Sequence, residues 1–177
     1  MKNLSGVIKS DKKLKELDIV LSKGNISDIS QAIRKLRDDE PFSGAIALLV
    51  KLYDSNTDKS LSKLVQDFFN DIKYQAACPE IIEEIGKPWK QDTISMLVSS
   101  CWQSGLDYSD YLSDITTIFL NGDYCTAIEC LTLIEESVNK SSREQKDKII
   151  RLLQNSTLAF THEKNSLTQE LISILEK

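Results

Sequence analysis

The chain has little of what usually carries catalysis or builds a β fold. Its 177 residues include six glycines, three prolines and one histidine. Glycine and proline make up about 5% of the chain, against roughly 12% in average usage, which disfavours turn-rich β folds and glycine-rich phosphate loops. No HExxH, P-loop or Ser/His/Asp grouping is present. We therefore predict no catalytic residue, no metal site and no cofactor.

The four cysteines, Cys78, Cys101, Cys125 and Cys130, are scattered and form no CxxC motif. Reduced thiols often behave as small core hydrophobes. We interpret all four as structural, with zinc binding or redox work as the alternative.

Long apolar runs are missing as well. The N-terminal segment MKNLSGVIKSDKK contains no stretch that could serve as the apolar region of a signal peptide. No window approaches the roughly 18 consecutive apolar residues of a membrane span. We therefore expect a cytoplasmic protein that does not contact membranes.

What the chain does have is apolar residues at helical spacing almost throughout. Ile29, Ala32, Ile33 and Leu36 follow the i, i+3, i+4, i+7 pattern of an amphipathic helix. Ten such patterns succeed one another, and alternating strand patterns are nearly absent. The sequence predicts an all-α fold.

Local signals predict where several of these helices start. Ser27 or Asp28 would open the second helix and Pro41 the third. Pro79 would lie in the first turn of the fifth helix, with Gly86 at its end. Two pairs have the spacing of capping boxes at the last two helices; they are Ser141 with Glu144 and Ser166 with Gln169.

The chain also repeats itself. The segment LSKLVQDFFN at 61–70 matches LSDITTIFLN at 112–121, with Leu61, Phe68 and Asn70 identical to their counterparts 51 positions later. IALLV at 46–50 similarly matches ISMLV at 94–98, and both follow a proline and an aromatic residue. A helical period of about 47–51 residues predicts stacked helical units whose apolar faces cover one another.

With these repeats the chain resembles a HEAT/armadillo-type α-solenoid. CWQSGLDYSDYL at 101–112 is also similar to a stretch of bacterial proteins with HEAT-like repeats. The resemblance implies one short right-handed α-α superhelix over residues 1–177. It would comprise a partial unit at 11–40, repeats at 41–87 and 88–139, and a partial C-terminal unit at 140–177.

Charge is segregated along the chain. Residues 1–37 carry nine Lys or Arg against four Asp or Glu, a net +5. Residues 38–139 carry six against eighteen, a net −12, and residues 140–177 a net +2. An acidic body repels phosphate backbones, so we expect no nucleic-acid binding.

Acidic clusters recur at the predicted unit ends. If the units stack, these clusters form an acidic ridge that would bind a protein partner with a basic surface or segment. The alternative is a solvated face that keeps a monomer soluble. The ridge residues are Asp38, Asp39, Glu40, Glu83, Glu84, Glu135 and Glu136.

We therefore predict a non-enzymatic protein-interaction module, a monomer or weak homodimer. One alternative is an accessory or enzymatic role, because HEAT-like folds also occur in cofactor lyases and DNA glycosylases. The other is self-association through the apolar face of the last helix. Leu167, Leu171, Ile174 and Leu175 define that face, and Thr168 is predicted to lie on the opposite, outer side.

Overall fold

A computed structural model of the protein describes the backbone of residues 4–38 and 42–177, and the chain over these residues is helical without a strand. The prediction of an all-α fold is confirmed. The chain divides into two compact units, Met1–Ile72 and Lys73–Lys177. The division falls inside the predicted repeat 41–87, directly after its second helix.

The first unit contains four helices in its described residues. They are α1 (Leu4–Lys23), α2 (Ile26–Asp38), α3 (Ala45–Ser55) and α4 (Lys59–Asn70). Helix α1 contacts α2 and α3, and α4 contacts α2 and α3. Ile33, Leu49 and Val65 are fully buried in this unit. Each helix therefore contributes an apolar face to one shared core.

The second unit contains six α-helices and short 3₁₀ turns. The helices are α5 (Cys78–Ile85), α6 (Gln91–Ser104), α7 (Leu112–Asn121), α8 (Tyr124–Ser137), α9 (Arg143–Gln154) and α10 (Asn165–Glu176). Helix α8 contacts α6, α7 and α10, while α7 also contacts α9. From α6 onward, helices thus touch the next helix but one. Leu97, Ile115 and Ile134 are fully buried between them.

The observed helix boundaries agree with some of the predicted ones and differ from others. Pro79 lies in the first turn of α5 and Gly86 follows its end, as predicted. Helix α2 is capped earlier than predicted, because the Asn25 side chain accepts a hydrogen bond from the Asp28 backbone N–H at 3.0 Å. Helix α3 begins at Ala45 after Gly44, whose φ of 87° suits glycine. Pro41, the predicted start, lies outside the described residues.

Both predicted capping boxes are wrong. The box at α9 is Ser142 with Gln145, where Ser142 Oγ accepts from the Gln145 N–H at 3.2 Å and Gln145 Oε1 accepts from the Ser142 N–H at 2.8 Å. Both adjacent serines have a suitable partner three positions on, so the spacing alone does not distinguish them. The actual box lies one residue later than predicted. Ser166 lies inside α10, which begins at Asn165 without a side-chain cap.

The matched segments 61–70 and 112–121 form α4 and α7. Leu61 and Phe68 are buried in α4, and Leu112 and Phe119 are buried at the same positions of α7. The two apolar identities therefore fall on the buried face of each helix. The third apolar position differs, because Ile115 is fully buried and its counterpart in α4 is only half-buried.

A lysine fixes the end of α7. Lys164, 7% exposed, donates hydrogen bonds from Nζ to the carbonyl oxygens of Phe119, Leu120 and Gly122 at 3.0, 2.7 and 2.5 Å. An ammonium group has three donors, and each of these carbonyls accepts one. Burial lowers the pKa of Lys164. The helix C-terminus, which carries partial negative charge, favours a cation at this position.

Replacing Lys164 with Met should lower the free energy of unfolding by about 2–4 kcal/mol, because three carbonyls lose charged donors. Urea denaturation followed by circular dichroism measures the change. Lys177→Met, an exposed lysine at the chain end, is the control and should shift stability by less than about 0.5 kcal/mol. Equal effects of the two substitutions would contradict a structural role for Lys164.

The burial difference between the matched helices gives a second prediction. Ile115→Ala should cost about 2–5 kcal/mol, because it leaves a cavity in a fully buried site. Leu64→Ala should cost less, because Leu64 is half-buried and loses less apolar contact. Urea denaturation of both variants measures the two costs. A larger loss for Leu64→Ala would show that the burial pattern is wrong.

Candidate protein interaction surface

Helix α8 separates cleanly into a buried and an exposed face. Thr126, Ala127, Cys130, Leu133, Ile134 and Ser137 are buried. The opposite face carries Tyr124, Ile128 and Glu135, which lie within about 40° of one another around the helix axis. Tyr124 is 46% and Ile128 39% exposed. We name the exposed residues Tyr124, Cys125, Ile128, Glu135 and Glu136, together with the half-buried Glu129 and Thr132, the α8 face.

The turn before α8 sets the direction of this face. Asp123 caps the helix by accepting a hydrogen bond from the Thr126 N–H at 2.8 Å, and this bond lowers the pKa of Asp123. Gly122 is required by close packing, because a Cβ there would come within 2.9 Å of the Thr126 side chain. The carbonyl of Gly122 is one of the three held by Lys164. The start of α8 is therefore fixed from both sides.

A tryptophan from α6 borders the α8 face. Trp102 is half-buried, and its Nε1 donates a hydrogen bond to Glu129 Oε2 at 2.8 Å. This bond holds the indole against α8 and satisfies its one polar group. A half-exposed Trp at the edge of an exposed helix face is typical of the anchors of protein interfaces.

Two of the predicted ridge residues belong to this face. Glu135 and Glu136 are exposed near the end of α8, and neither has an ion-pair partner among the described residues. Along the helix axis, Glu135 lies about 16 Å from Tyr124 at 1.5 Å per residue. The face is thus aromatic and aliphatic at its start and acidic at its end.

The other ridge residues have different surroundings. Glu83 is exposed in α5 and lies 3.5 Å from the Lys87 ammonium. Glu84 is buried, at 2% exposed, and Lys87 Nζ donates to its Oε1 at 2.5 Å. Its prediction as a surface acid is therefore wrong, because α5 turns this position inward. Asp38 ends α2, and its neighbours Asp39 and Glu40 lie outside the described residues.

Sequence reasoning missed Ile128, Glu129 and Lys164. Ile128 could have been found by plotting residues 124–137 on a helical wheel, where it shares the arc of Tyr124 and Glu135, whereas Glu129 lies about 100° further around the axis. No local signal identifies Lys164, because its partners lie more than 40 positions earlier in the chain.

A cleft of about 230 Å³ lies between the ends of α5 and α7 and the start of α6. Lys87, Gln91, Thr117 and Asn121 supply its polar groups. Lys87 is already paired with Glu83 and Glu84, and the Asn121 side-chain amide donates to the Thr117 carbonyl at 2.8 Å. The cleft's cation and one of its amides are therefore engaged within the fold.

Three of the four thiols are buried. Burial raises the pKa of Cys78 and of Cys130, and that of Cys101 to about 12. The buried hydroxyl of Tyr108 lies beside the Cys101 and Cys78 thiols. In residues 4–38 and 42–177, no three His, Cys, Asp or Glu side chains are placed to hold a metal ion together. The lone histidine, His162, is exposed.

Thiol reactivity should follow this burial. A native sample treated with Ellman's reagent should release close to one equivalent rapidly, from Cys125, the exposed cysteine. The buried thiols should stay unreacted, because little thiolate forms at neutral pH when the pKa is raised. Cys125→Ser should abolish the rapid phase, and denaturant should reveal the remaining thiols. Rapid reaction of a second thiol in native protein would contradict the burial.

Comparison of the chain with models of protein families, with curated proteins and with solved structures found no match. Among the described helices, none is long and apolar enough to span a membrane.

Proposed function

We propose that the chain is a non-enzymatic protein-interaction module whose α8 face binds a Lys- or Arg-rich segment of a partner protein. The observation that carries the proposal is the alignment of Tyr124, Ile128 and Glu135 on one exposed face, with Trp102 held beside it. Aromatic and aliphatic anchors supply contact area, and carboxylates without ion-pair partners select the sign of the partner's charge.

The chemistry of this face favours a basic partner. Exposed Tyr and Trp rings attract Lys and Arg side chains by cation–π interaction, and Glu135 and Glu136 add carboxylate acceptors nearby. Residues 38–139, which include α8, have a net charge of −12. The long-range field therefore steers basic segments toward this part of the chain and repels phosphate backbones.

The α-solenoid architecture is part of the same proposal. In the second unit, α6 contacts α8, α7 contacts α9 and α8 contacts α10, so contacts run to the next helix but one, and α7 with α8 and α9 with α10 also contact each other. In the first unit α1 contacts α3 and α2 contacts α4 in the same way. Such contacts are what stacked helical repeats produce. The matched buried positions of α4 and α7 support a repeat origin for these two helices.

The two alternative functions, self-association through the last helix and a lyase role, have less support. The apolar face of α10 is covered, since Leu171, Ile174 and Leu175 are buried and α10 contacts α8 and α9. Thr168, predicted on the outer side, is also buried and donates to the Ala159 carbonyl at 2.6 Å. Self-association through this helix has no free face to use. A lyase role would need a pocket with a nucleophile or an acid; burial raises the pKa of Cys78, Cys101 and Cys130, and the exposed Cys125 does not line the cleft between α5, α6 and α7.

Fluorescence anisotropy with defined peptides tests the proposal. The probe is a labelled peptide of Lys, Arg and Leu in amphipathic helical order, and its counterpart has Glu in place of every basic residue. The wild-type protein should bind the basic peptide and not the acidic one. Binding should weaken as salt rises from about 50 to about 300 mM, because exposed charges are screened.

Two variants locate the site. Glu135→Lys with Glu136→Lys, and separately Tyr124→Ala with Ile128→Ala, should each weaken binding of the basic peptide at least about tenfold, or about 1.4 kcal/mol. The control is Glu170→Lys with Glu176→Lys, exposed acids on α10 that make the same change in net charge. If the control weakens binding as much as the α8 variants, net charge alone explains the effect and the proposed site is wrong.

A further inference from the structure

A groove on the first unit is lined by two lysines, so its charge is opposite in sign to that of the α8 face. Helix α1 contributes Lys13, Glu16, Leu17 and Val20 to it, at the i, i+3, i+4, i+7 positions of one stripe. Helix α2 contributes Ala32, Lys35 and Leu36, and Phe42 completes the lining. The groove is open to solvent between the two helices. All its lining residues belong to the first unit, so it shares no residue with the α8 face.

The groove floor is apolar and only partly covered. Val20, Ala32, Leu36 and Phe42 are half-buried, whereas Leu17 is buried. The groove volume is about 230 Å³, which is below the roughly 300–1,000 Å³ of sites for drug-sized ligands. A volume of this size suits a few anchoring side chains of a protein segment. Two helices flanking an apolar strip form the usual receptor for a third amphipathic helix.

The charges beside the groove are basic. Lys13 Nζ lies 5.7 Å from the centre of the Phe42 ring, and Lys35 stands on the opposite helix with no ion-pair partner among the described residues. The one lining carboxylate, Glu16, has a cation of its own, because Lys12 Nζ lies 3.8 Å away. Acidic residues follow α2 in the sequence at 38–40, whereas both lysines line the groove itself.

We propose that this groove binds an acidic amphipathic helix of a partner protein. Apolar side chains of that helix at i, i+3 or i+4, and i+7 would contact Val20, Leu36 and Phe42. Its Asp or Glu side chains would pair with Lys13 on one side and Lys35 on the other. The protein then has two interaction sites selective for partners of opposite charge, one in each unit.

The test uses the full chain and a defined probe. The probe is a fluorescein-labelled peptide of about 18 residues with Leu at helical i, i+3, i+4, i+7 spacing and Glu at the flanking positions. One control peptide has the same composition in scrambled order, and another has Lys in place of Glu. Anisotropy should show saturable binding of the ordered acidic peptide, and affinity at least about tenfold weaker for both controls.

Protein variants place that binding in the groove. Lys13→Glu with Lys35→Glu should weaken it at least about tenfold. Lys51→Glu with Lys59→Glu, exposed lysines of the same unit outside the groove, makes the same charge change and should leave affinity within about twofold. Ala32→Trp should also abolish binding, because the indole fills the groove without changing its charge. Thermal melting of every variant verifies that it folds.

The outcomes that overturn the proposal are distinct. Failure of wild type to bind the ordered acidic peptide overturns it, as does retained affinity in a folded Lys13→Glu, Lys35→Glu or Ala32→Trp protein. Sedimentation equilibrium that shows a wild-type dimer and a monomeric Ala32→Trp variant would make a second copy the occupant, and would also overturn it. None of these results depends on the basic peptide used for the α8 face, so the two proposals fail independently.

Discussion

The second unit depends on one buried cation. The three Lys164 hydrogen bonds join the start of α10 to the carbonyls that α7 leaves unpaired where it ends. Desolvating an ammonium group is costly, and here that cost is offset by three carbonyl acceptors and by the helix dipole. Because Gly122 is one of the acceptors and Asp123 caps the next helix, the same contact fixes where α8 begins. The direction of the α8 face follows from it.

Other polar groups in the interior of this unit are also engaged by the fold. One carboxylate oxygen of Glu84 accepts a hydrogen bond from Lys87, and Thr168 donates to a backbone carbonyl. A buried polar group with a fixed partner stabilises one arrangement of helices. It is correspondingly less free to bind a ligand or move a proton.

The sequence was sufficient for what depends on local pattern. Apolar periodicity alone predicts an all-α chain, and Pro79 with Gly86 correctly delimits α5. The capping residue of α9 was harder to predict, since Ser141 and Ser142 are adjacent and only the three-dimensional geometry distinguishes them. The burial of Glu84 and the role of Lys164 could not be predicted. Both depend on side chains or carbonyls brought together by tertiary packing. Without knowledge of such a partner, a charged residue is predicted to be exposed.

The segregation of charge along the sequence can be compared with the apolar side chains that lie beside the charges on each surface. A surface with only unpaired carboxylates would attract basic molecules without distinguishing among them, because long-range electrostatics governs encounter more than fit. On α8 the carboxylates share a face with Tyr124 and Ile128, and in the first-unit groove the lysines flank Leu36 and Phe42. Under the two proposals, the apolar side chains require a partner of complementary shape, and the charges disfavour a partner of the wrong sign. Each unit would then combine the two elements that selective protein binding requires, and the units would differ in the sign of charge they select.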